Sequence, residues 1–184
     1  WIRYNKAIFI QDRNPGVPGV MYKIAPEMEA KHKSLKAARE LWIATVQLTG
    51  RPLHEIYTGR ELDINSFDLD HFVPRSYVSN DELWNLSPTT KNINSMKGNQ
   101  LPNLYENFER LAELQHKALM MCNDYEIVRH KFKICLDYHV NSIEIRNSLY
   151  QSNMDLQSYK ERLYNVIQPV YDSAKMGGFT EWIK

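Results

Sequence analysis

The chain has 184 residues and a formal net charge of +1 at pH 7, a length that suits one domain or one compact core with a helical extension. Its composition is 43% hydrophobic, 11% aromatic and 24% charged, which is ordinary for a globular protein and argues against disorder. It contains no apolar run of about 18 residues, so we expect no membrane-spanning helix and no membrane partner.

Charge is distributed unevenly along the chain. Residues 1–60 carry ten Lys/Arg against five Asp/Glu, residues 61–102 carry three against six, and residues 103–184 carry ten against eleven. The acidic centre suits a cation site, and the basic arm before it could neutralise phosphates of a nucleic acid. The arm can equally be the solvated face of a helix, an alternative that concerns Lys31, Lys33, Lys36 and Arg39.

The cysteines bear on the cellular compartment of the protein, and the first residue bears on whether further residues precede it. Cys122 and Cys135 form no C-x-x-C pair, so no zinc knuckle is encoded. We interpret them as buried reduced thiols, which is typical of a cytoplasmic protein. The sequence begins with Trp1 and shows no secretory signal, so we expect a fragment or processed product with residues missing upstream.

The first 60 residues predict a strand or loop and then a helix. Residues 2–22 hold a short apolar run followed by Asn-Pro-Gly and Pro-Gly, a pattern that indicates an extended segment ending in turns. Apolar residues at three- and four-residue spacing predict a helix from Ala25 to Leu48, with Pro26 in its first turn. Gly50 and Pro52 should end it.

Two short β-compatible segments follow. Residues 56–62 carry a Thr-Gly tip, which predicts a small hairpin or tight turn. Residues 67–73 alternate between apolar and polar positions, so they predict a strand with Asp68 and Asp70 on one face. Pro74 should end that strand.

A second strand and a helix complete this central region. Residues 83–86 predict the strand, which a loop joins to the first one. Pro88 can start a helix through residues 92–96, and Gly98 can cap its end. The predicted order is therefore strand, loop, strand, helix.

The chain beyond Pro102 predicts helices, because its apolar residues recur at helical spacing. In the last of them, Ser158 and Glu161 predict a capping box. Pro169 predicts a kink and the glycine pair 177–178 predicts the end. The predicted helical stretches cover residues 104–119, residues 124–148 and the chain from about residue 155 onward. The fold class expected from the whole sequence is α+β, mainly helical.

Residues 67–102 contain the pattern that indicates a chemistry. The pair Asp70-His71 is followed fourteen residues later by Asn85 and nine further on by Asn94. Phosphodiester hydrolysis needs an activated water, and His71 can be its general base because the unperturbed pKa of histidine lies near neutrality. Asp70 offers a hard anionic oxygen for a cation such as Mg²⁺, and Asn94 can add a neutral oxygen.

This pattern resembles the HNH endonucleases, which hydrolyse phosphodiester bonds around one divalent cation. The motifs D-H-x-x-P-x-S, W-N-L-x-P and N-x-x-K-G carry the resemblance, which covers about 45 residues from Ile56 to Pro102. The last motif residue is asparagine where the family often has histidine, an H-N-N variant similar to the HNH domains of RNA-guided CRISPR effector nucleases and of bacterial restriction-type proteins. The resemblance implies a small ββα-metal core at residues 56–102, flanked by N-terminal (1–55) and C-terminal (103–184) helical segments.

The resemblance also implies roles for the motif residues. His71 would activate water, Asp70 and Asn94 would hold one Mg²⁺ or Mn²⁺, and Asn85 would set the loop geometry by hydrogen bonds to the backbone. Lys97 shares a helical face with Asn94 and would contact phosphate. Further phosphate candidates are Arg75 and Lys91. We expect no structural zinc, because the positions of the cysteine pair that binds it in many HNH proteins hold Tyr57 and Gly59.

Several residues keep a plainer interpretation beside the functional one. Asp68 is either a support for the metal site or a polar strand residue. Asn92 competes with Asn94 as the ligand, and Trp84 is expected to be a core anchor. The remaining helical histidines are expected to be surface or core residues; they are His32, His116, His130 and His139.

The sequence thus predicts a metal-dependent HNH endonuclease acting on DNA, with RNA not excluded because the chemistry acts on the backbone and reads no bases. We expect it to be a module of a larger bacterial, restriction-type or defence protein. The alternative is a module that keeps the HNH fold but has lost turnover and only binds nucleic acid or protein.

Overall fold

The computed structural model describes residues 35–78, 81–140 and 142–183. The predicted opening strand and the predicted start of the first helix lie outside these residues. Within them the fold is α+β and mainly helical, as the sequence predicted. The helices are α1 Lys36–Thr49, α2 Arg75–Val78, α3 Lys91–Lys97, α4 Leu104–Asp124, α5 Glu126–His139, α6 Ile143–Leu149 and α7 Leu156–Met176. The strands are β1 Leu53–His54, β2 Glu61–Leu62, β3 Asp68–His71 and β4 Leu86–Thr89.

The strands form two small antiparallel sheets. β1 pairs with β2, so the predicted hairpin around residues 56–62 is present. β3 pairs with β4, with Asp70 opposite Ser87 and His71 opposite Leu86. Helix α3 follows β4 directly and lies against β3, which gives the predicted strand–strand–helix order.

The second strand begins three residues later than the sequence predicted. Residues Leu83–Asn85 form a single 3₁₀ turn, and Pro88 lies inside β4 instead of starting the helix. Proline is tolerated there because, in the part of the chain that the structure describes, β4 pairs on one side only and so is an edge strand. Thr90 caps α3 instead, since its side-chain oxygen accepts a hydrogen bond from the Ile93 amide at 3.2 Å.

Glycines end two of the helices that frame the sheets. The α1 C-cap is Gly50, which has a φ of 61° and donates its amide to the Val46 carbonyl at 2.8 Å. Gly98 ends α3 with a φ of 51°. Both ends were predicted correctly from the glycine positions.

Two predictions for the C-terminal helices were wrong. The single run predicted over residues 124–148 is two helices, because Ser142 caps a new helix by accepting a hydrogen bond from the Ile145 amide. The N-cap of α7 is Asp155, whose carboxylate accepts from the Ser158 amide at 2.9 Å, so Ser158 and Glu161 do not form the capping box. Helix α7 runs through Pro169 and ends at Gly177.

One hydrophobic cluster joins the helices to both sheets. Helix α1 packs on α5, and α4 packs on α5 and α7. Trp84 is fully buried, as the sequence predicted. None of the helices in the described ranges is both long and apolar enough to cross a membrane. The division at residues 55 and 102 stays a prediction.

The loop that precedes β4 is anchored by a glutamine of α4. The Gln115 amide nitrogen donates to the carbonyls of Leu83, Trp84 and Leu86 at 3.1, 3.0 and 3.2 Å. Its amide oxygen accepts from the Tyr159 hydroxyl of α7 at 3.0 Å. Because Gln115 is buried, these bonds replace water for the backbone of the loop and fix the loop to the helical region.

Candidate active site

His71 is the last residue of β3, and its imidazole is held by an aspartate. The His71 Nε2 lies 3.0 Å from the Asp81 Oδ1, and both side chains are about nine-tenths buried. An ionised carboxylate only accepts hydrogen bonds, so Nε2 must carry a proton. In the neutral imidazole the lone pair is then on Nδ1, which is the nitrogen that can accept a proton from water.

Asp81 stays ionised because of its neighbours. Burial alone would raise the pKa of its carboxyl, but hydrogen bonds and charges from His71 and Arg75 outweigh burial and hold that pKa below the ordinary value. The Arg75 Nε donates to the same oxygen, Oδ1, at 2.9 Å. Sequence reasoning placed Asp81 in a loop and assigned it no role.

Asn94 points from α3 towards β3. Its amide nitrogen donates to the Asp68 Oδ2 at 2.8 Å and lies 3.5 Å from the Leu69 carbonyl. Since the nitrogen is used in this way, the amide oxygen is the atom that Asn94 can offer to a cation. Asp68 therefore orients Asn94, whereas Asn92 is exposed on the other side of the helix.

Asp70 and Lys97 form a buried ion pair. The Lys97 Nζ lies 3.2 and 3.1 Å from the two Asp70 carboxylate oxygens and donates to the His71 carbonyl at 2.8 Å. The Tyr57 hydroxyl donates to the same carboxylate. Burial lowers the pKa of Lys97 although Asp70 opposes that shift, and burial next to Asp70 raises the pKa of Tyr57 well above its ordinary value.

The position of Lys97 differs from the one that its predicted role needs. The sequence placed it on a helical face towards a phosphate, but its side chain is completely buried against β3. Arg75 is half-exposed and directed to Asp81, and Lys91 is exposed in the first turn of α3. The phosphate-binding roles of these three residues stay predictions.

Asn85 joins the two loops that flank the sheet. Its side-chain oxygen accepts from the Val73 amide at 2.7 Å, and its nitrogen donates to the Val73 carbonyl at 2.8 Å. The Phe72 amide donates to the Asn85 carbonyl at 2.8 Å. The fully buried Asn85 thereby fixes the backbone that leaves β3 just after His71.

A buried glutamate that the sequence did not single out supports the same core. Glu55 accepts hydrogen bonds from Thr89 Oγ1 at 2.6 Å, the Thr90 amide at 2.9 Å and Thr58 Oγ1 at 2.5 Å. These bonds connect the β1–β2 hairpin to the junction between β4 and α3. Tyr57 of the same hairpin packs edge-on against Trp182, with ring centroids 5.5 Å apart.

The candidate ligand atoms are carboxylate and amide oxygens, which suit a hard divalent cation. Asp68 and Asp70 share the β3 face next to α3, and Asn94 adds an amide oxygen, which are the oxygen ligands that Mg²⁺ prefers. Asp70 already accepts from Tyr57 and Lys97, and the described residues contain no group of three or more His, Cys, Asp or Glu side chains that could hold a metal. Such a site supplies few protein ligands and leaves most positions to water and phosphate.

Comparison with known proteins shows which family the central segment resembles. Residues 55–103 match the family model described as HNH endonuclease. The CRISPR-associated endonuclease Cas9 of Listeria innocua is 38% identical over 53 residues, a match that covers 27% of this chain and 4% of that protein. No solved structure matches the chain. The segment 55–103 therefore matches the HNH endonuclease family, and the chain matches only a small part of the length of its Cas9 relative.

Proposed function

We propose that this chain is a divalent-metal-dependent endonuclease module that hydrolyses phosphodiester bonds in DNA, with His71 as the general base. The observation that carries the proposal is the hydrogen bond of His71 Nε2 to Asp81, which leaves the lone pair on Nδ1 available to accept a proton. HNH endonucleases generally depend on a divalent metal ion.

Each residue of the site has its own role in the proposed reaction. His71 Nδ1 takes a proton from the attacking water, and its ring is held by Asp81 so that no other tautomer competes. When bound, Mg²⁺ or Mn²⁺ on the oxygens of Asp70 and Asn94 would neutralise charge on the phosphate and stabilise the leaving oxygen. Asn85 keeps the end of β3 in register with the loop before β4.

Lys97 receives a different role from the one that the sequence suggested. Its ammonium joins the Asp70 carboxylate to the His71 carbonyl, so it fixes the orientation of the proposed ligand relative to the base. A contact with the substrate phosphate would require it to leave both partners. We therefore propose an orienting role for Lys97.

The substrate and the setting follow from the chemistry and the relative. We propose DNA as the substrate. Hydrolysis of the backbone needs no base readout, so the same chemistry applies to RNA. The relative is named a CRISPR-associated endonuclease, which supports a module of a larger bacterial defence or restriction-type system. Cys122 and Cys135 are free thiols whose pKa burial raises to about 11 and about 12, so they are unreactive and compatible with a cytoplasmic site.

A plasmid-nicking assay tests the proposal. The wild-type chain is incubated with supercoiled DNA, single-stranded DNA or RNA in Mg²⁺, Mn²⁺ or EDTA, beside His71→Ala and the control His130→Ala, which alters an exposed histidine of α5. We expect metal-dependent nicking by the wild type and the control only. A wild type that cuts none of these substrates would support the binding-module alternative instead.

A further inference from the structure

We propose that Asp81 is a positioning residue for His71, and that the C-terminal helical region holds Asp81 in place through His139. This inference rests on the proposed function of His71 as a base. It extends the catalytic machinery beyond residues 55–103, the segment that matches the HNH family.

The side chains of His71 and Asp81 are in direct contact. His71 Nε2 and Asp81 Oδ1 are 3.0 Å apart, and both side chains are about nine-tenths shielded from water. A carboxylate in such a place fixes the ring orientation and the tautomer of a histidine. The Nε of the half-exposed Arg75 donates to the same oxygen at 2.9 Å and so also holds the carboxylate.

His139 binds the backbone of Asp81. The Asp81 carbonyl lies 3.0 Å from Nδ1 of His139, which therefore donates its N–H. His139 is fully buried and is the last residue of α5. The side chain of Asp81 is thus bound towards the sheet while its carbonyl is bound by a helix outside the matched segment.

The residues that follow Asp81 are also bound by the C-terminal helical region. The Gln115 side chain of α4 donates to the carbonyls of Leu83, Trp84 and Leu86. The chain from residue 81 to residue 86 therefore rests on α4 and α5. A helix scaffold that fixes this loop also fixes the acceptor for His71.

The test for Asp81 compares Asp81→Ala and Asp81→Asn with Asp137→Asn in the full 184-residue chain. Asp137 is a matched control because it is an exposed aspartate of α5, which pairs with Arg146 of α6 at 3.1 Å. Nitrogen-15 spectra of the His71 ring report its tautomer without any need for cleavage. We expect a protonated Nε2 in the wild type and the control, and mixed tautomers in Asp81→Ala.

The cleavage rate gives the second readout. Asp81→Ala should lower kcat about 10–100-fold with little change in KM, because loss of a residue that orients a catalytic group has about this effect. Asp81→Asn keeps an acceptor oxygen and should retain more of the rate. A wild-type tautomer together with a wild-type kcat in Asp81→Ala would overturn the proposal.

The test for the helical region uses His139. His139→Asn keeps an N–H donor close to the position of Nδ1, whereas His139→Leu removes it; thermal unfolding verifies that each variant is folded. We expect the Leu variant to show the tautomer mixing of Asp81→Ala and the Asn variant to resemble the wild type. If the wild type cuts no substrate, the proposed function fails, and the ring spectra still decide whether Asp81 and His139 fix His71. Unchanged ring spectra in a folded His139→Leu would show that α5 does not help to hold His71 in its tautomer.

Discussion

Replacing Lys97 with methionine removes a cation from the interior and keeps most of the volume of the side chain. In the wild type the ammonium lies 3.1 Å from the nearer Asp70 oxygen and 2.8 Å from the His71 carbonyl, and the lysine side chain is fully buried. The variant leaves the buried Asp70 carboxylate with the Tyr57 hydroxyl as its remaining donor among these contacts. The substitution therefore tests whether Lys97 is an interior residue.

The expected loss follows from the cost of a buried charge without its partner. Removing one member of a buried ion pair costs about 3–5 kcal/mol, and the Tyr57 hydrogen bond places Lys97→Met near the lower end, at about 3 kcal/mol. For a chain of this size that loss corresponds to a fall in Tm of about 6–12 °C. Adding Asp70→Asn removes the stranded charge and should recover about half of the loss.

Urea unfolding followed by tryptophan fluorescence measures these differences. The matched control is Lys91→Met, because Lys91 is an exposed lysine at the start of the same helix and its loss should change stability by less than about 0.5 kcal/mol. A Lys97→Met variant within about 1 kcal/mol of the wild type would refute the interior position. It would favour the exposed, phosphate-contacting lysine that the sequence alone predicted.

Three further predictions concern the supports around the site. Gln115→Leu removes the donor from the loop carbonyls and should lower the free energy of unfolding in urea by about 2–3 kcal/mol. The control Tyr159→Phe loses one hydrogen bond and should lower it by about 1 kcal/mol. Equal losses would contradict the anchoring role of Gln115. Asn94→Ala should cut plasmid at least about 10-fold more slowly than the wild type, whereas Asn92→Ala should cut at the wild-type rate. The reverse result would make Asn92 the metal ligand in place of Asn94. The folded-state pKa of Asp81 is lowered, so its contribution to stability is present above the unfolded carboxyl pKa of 3.8 and is lost as the pH falls through the lower folded value. Between about pH 5 and pH 3, the free energy of unfolding measured in urea should therefore fall more steeply with decreasing pH for the wild type than for Asp81→Asn. Equal slopes against pH would contradict this.

Local patterns were enough to predict the core of the domain. Alternation placed Asp70 and His71 at the end of a strand, and helical spacing placed Asn94 and Lys97 on one face of a helix. Both inferences use neighbours within a few residues, where strand and helix geometry determine which side chains lie together. The strand–strand–helix order was predictable for this reason.

The contacts that connect distant segments were not predictable. His71 and Asp81 meet across a separation of ten residues, and Asp81 is held by His139, which lies 58 residues further along the chain than Asp81. Helical spacing showed the face of Lys97 but not its burial, because a lysine is usually exposed and this one is paired with the buried Asp70.

The shifted second strand has a similar cause. Proline favours both the first turn of a helix and an edge strand, and the sequence alone cannot decide between them. Register with β3 decides it, because Pro88 lies opposite Leu69 and the ladder continues to Thr89. The helix then begins after Thr90, whose hydroxyl caps it.

The central claim is that His71 is the general base of a metal-dependent nuclease. The most direct test is the single-turnover rate of plasmid nicking in Mg²⁺ for the wild type and for His71→Ala, with equal folding verified by circular dichroism. A general base contributes about 10²–10⁴ in rate, so we predict a loss of that size. Equal rates in the two folded proteins would contradict the claim and remove His71 from the mechanism.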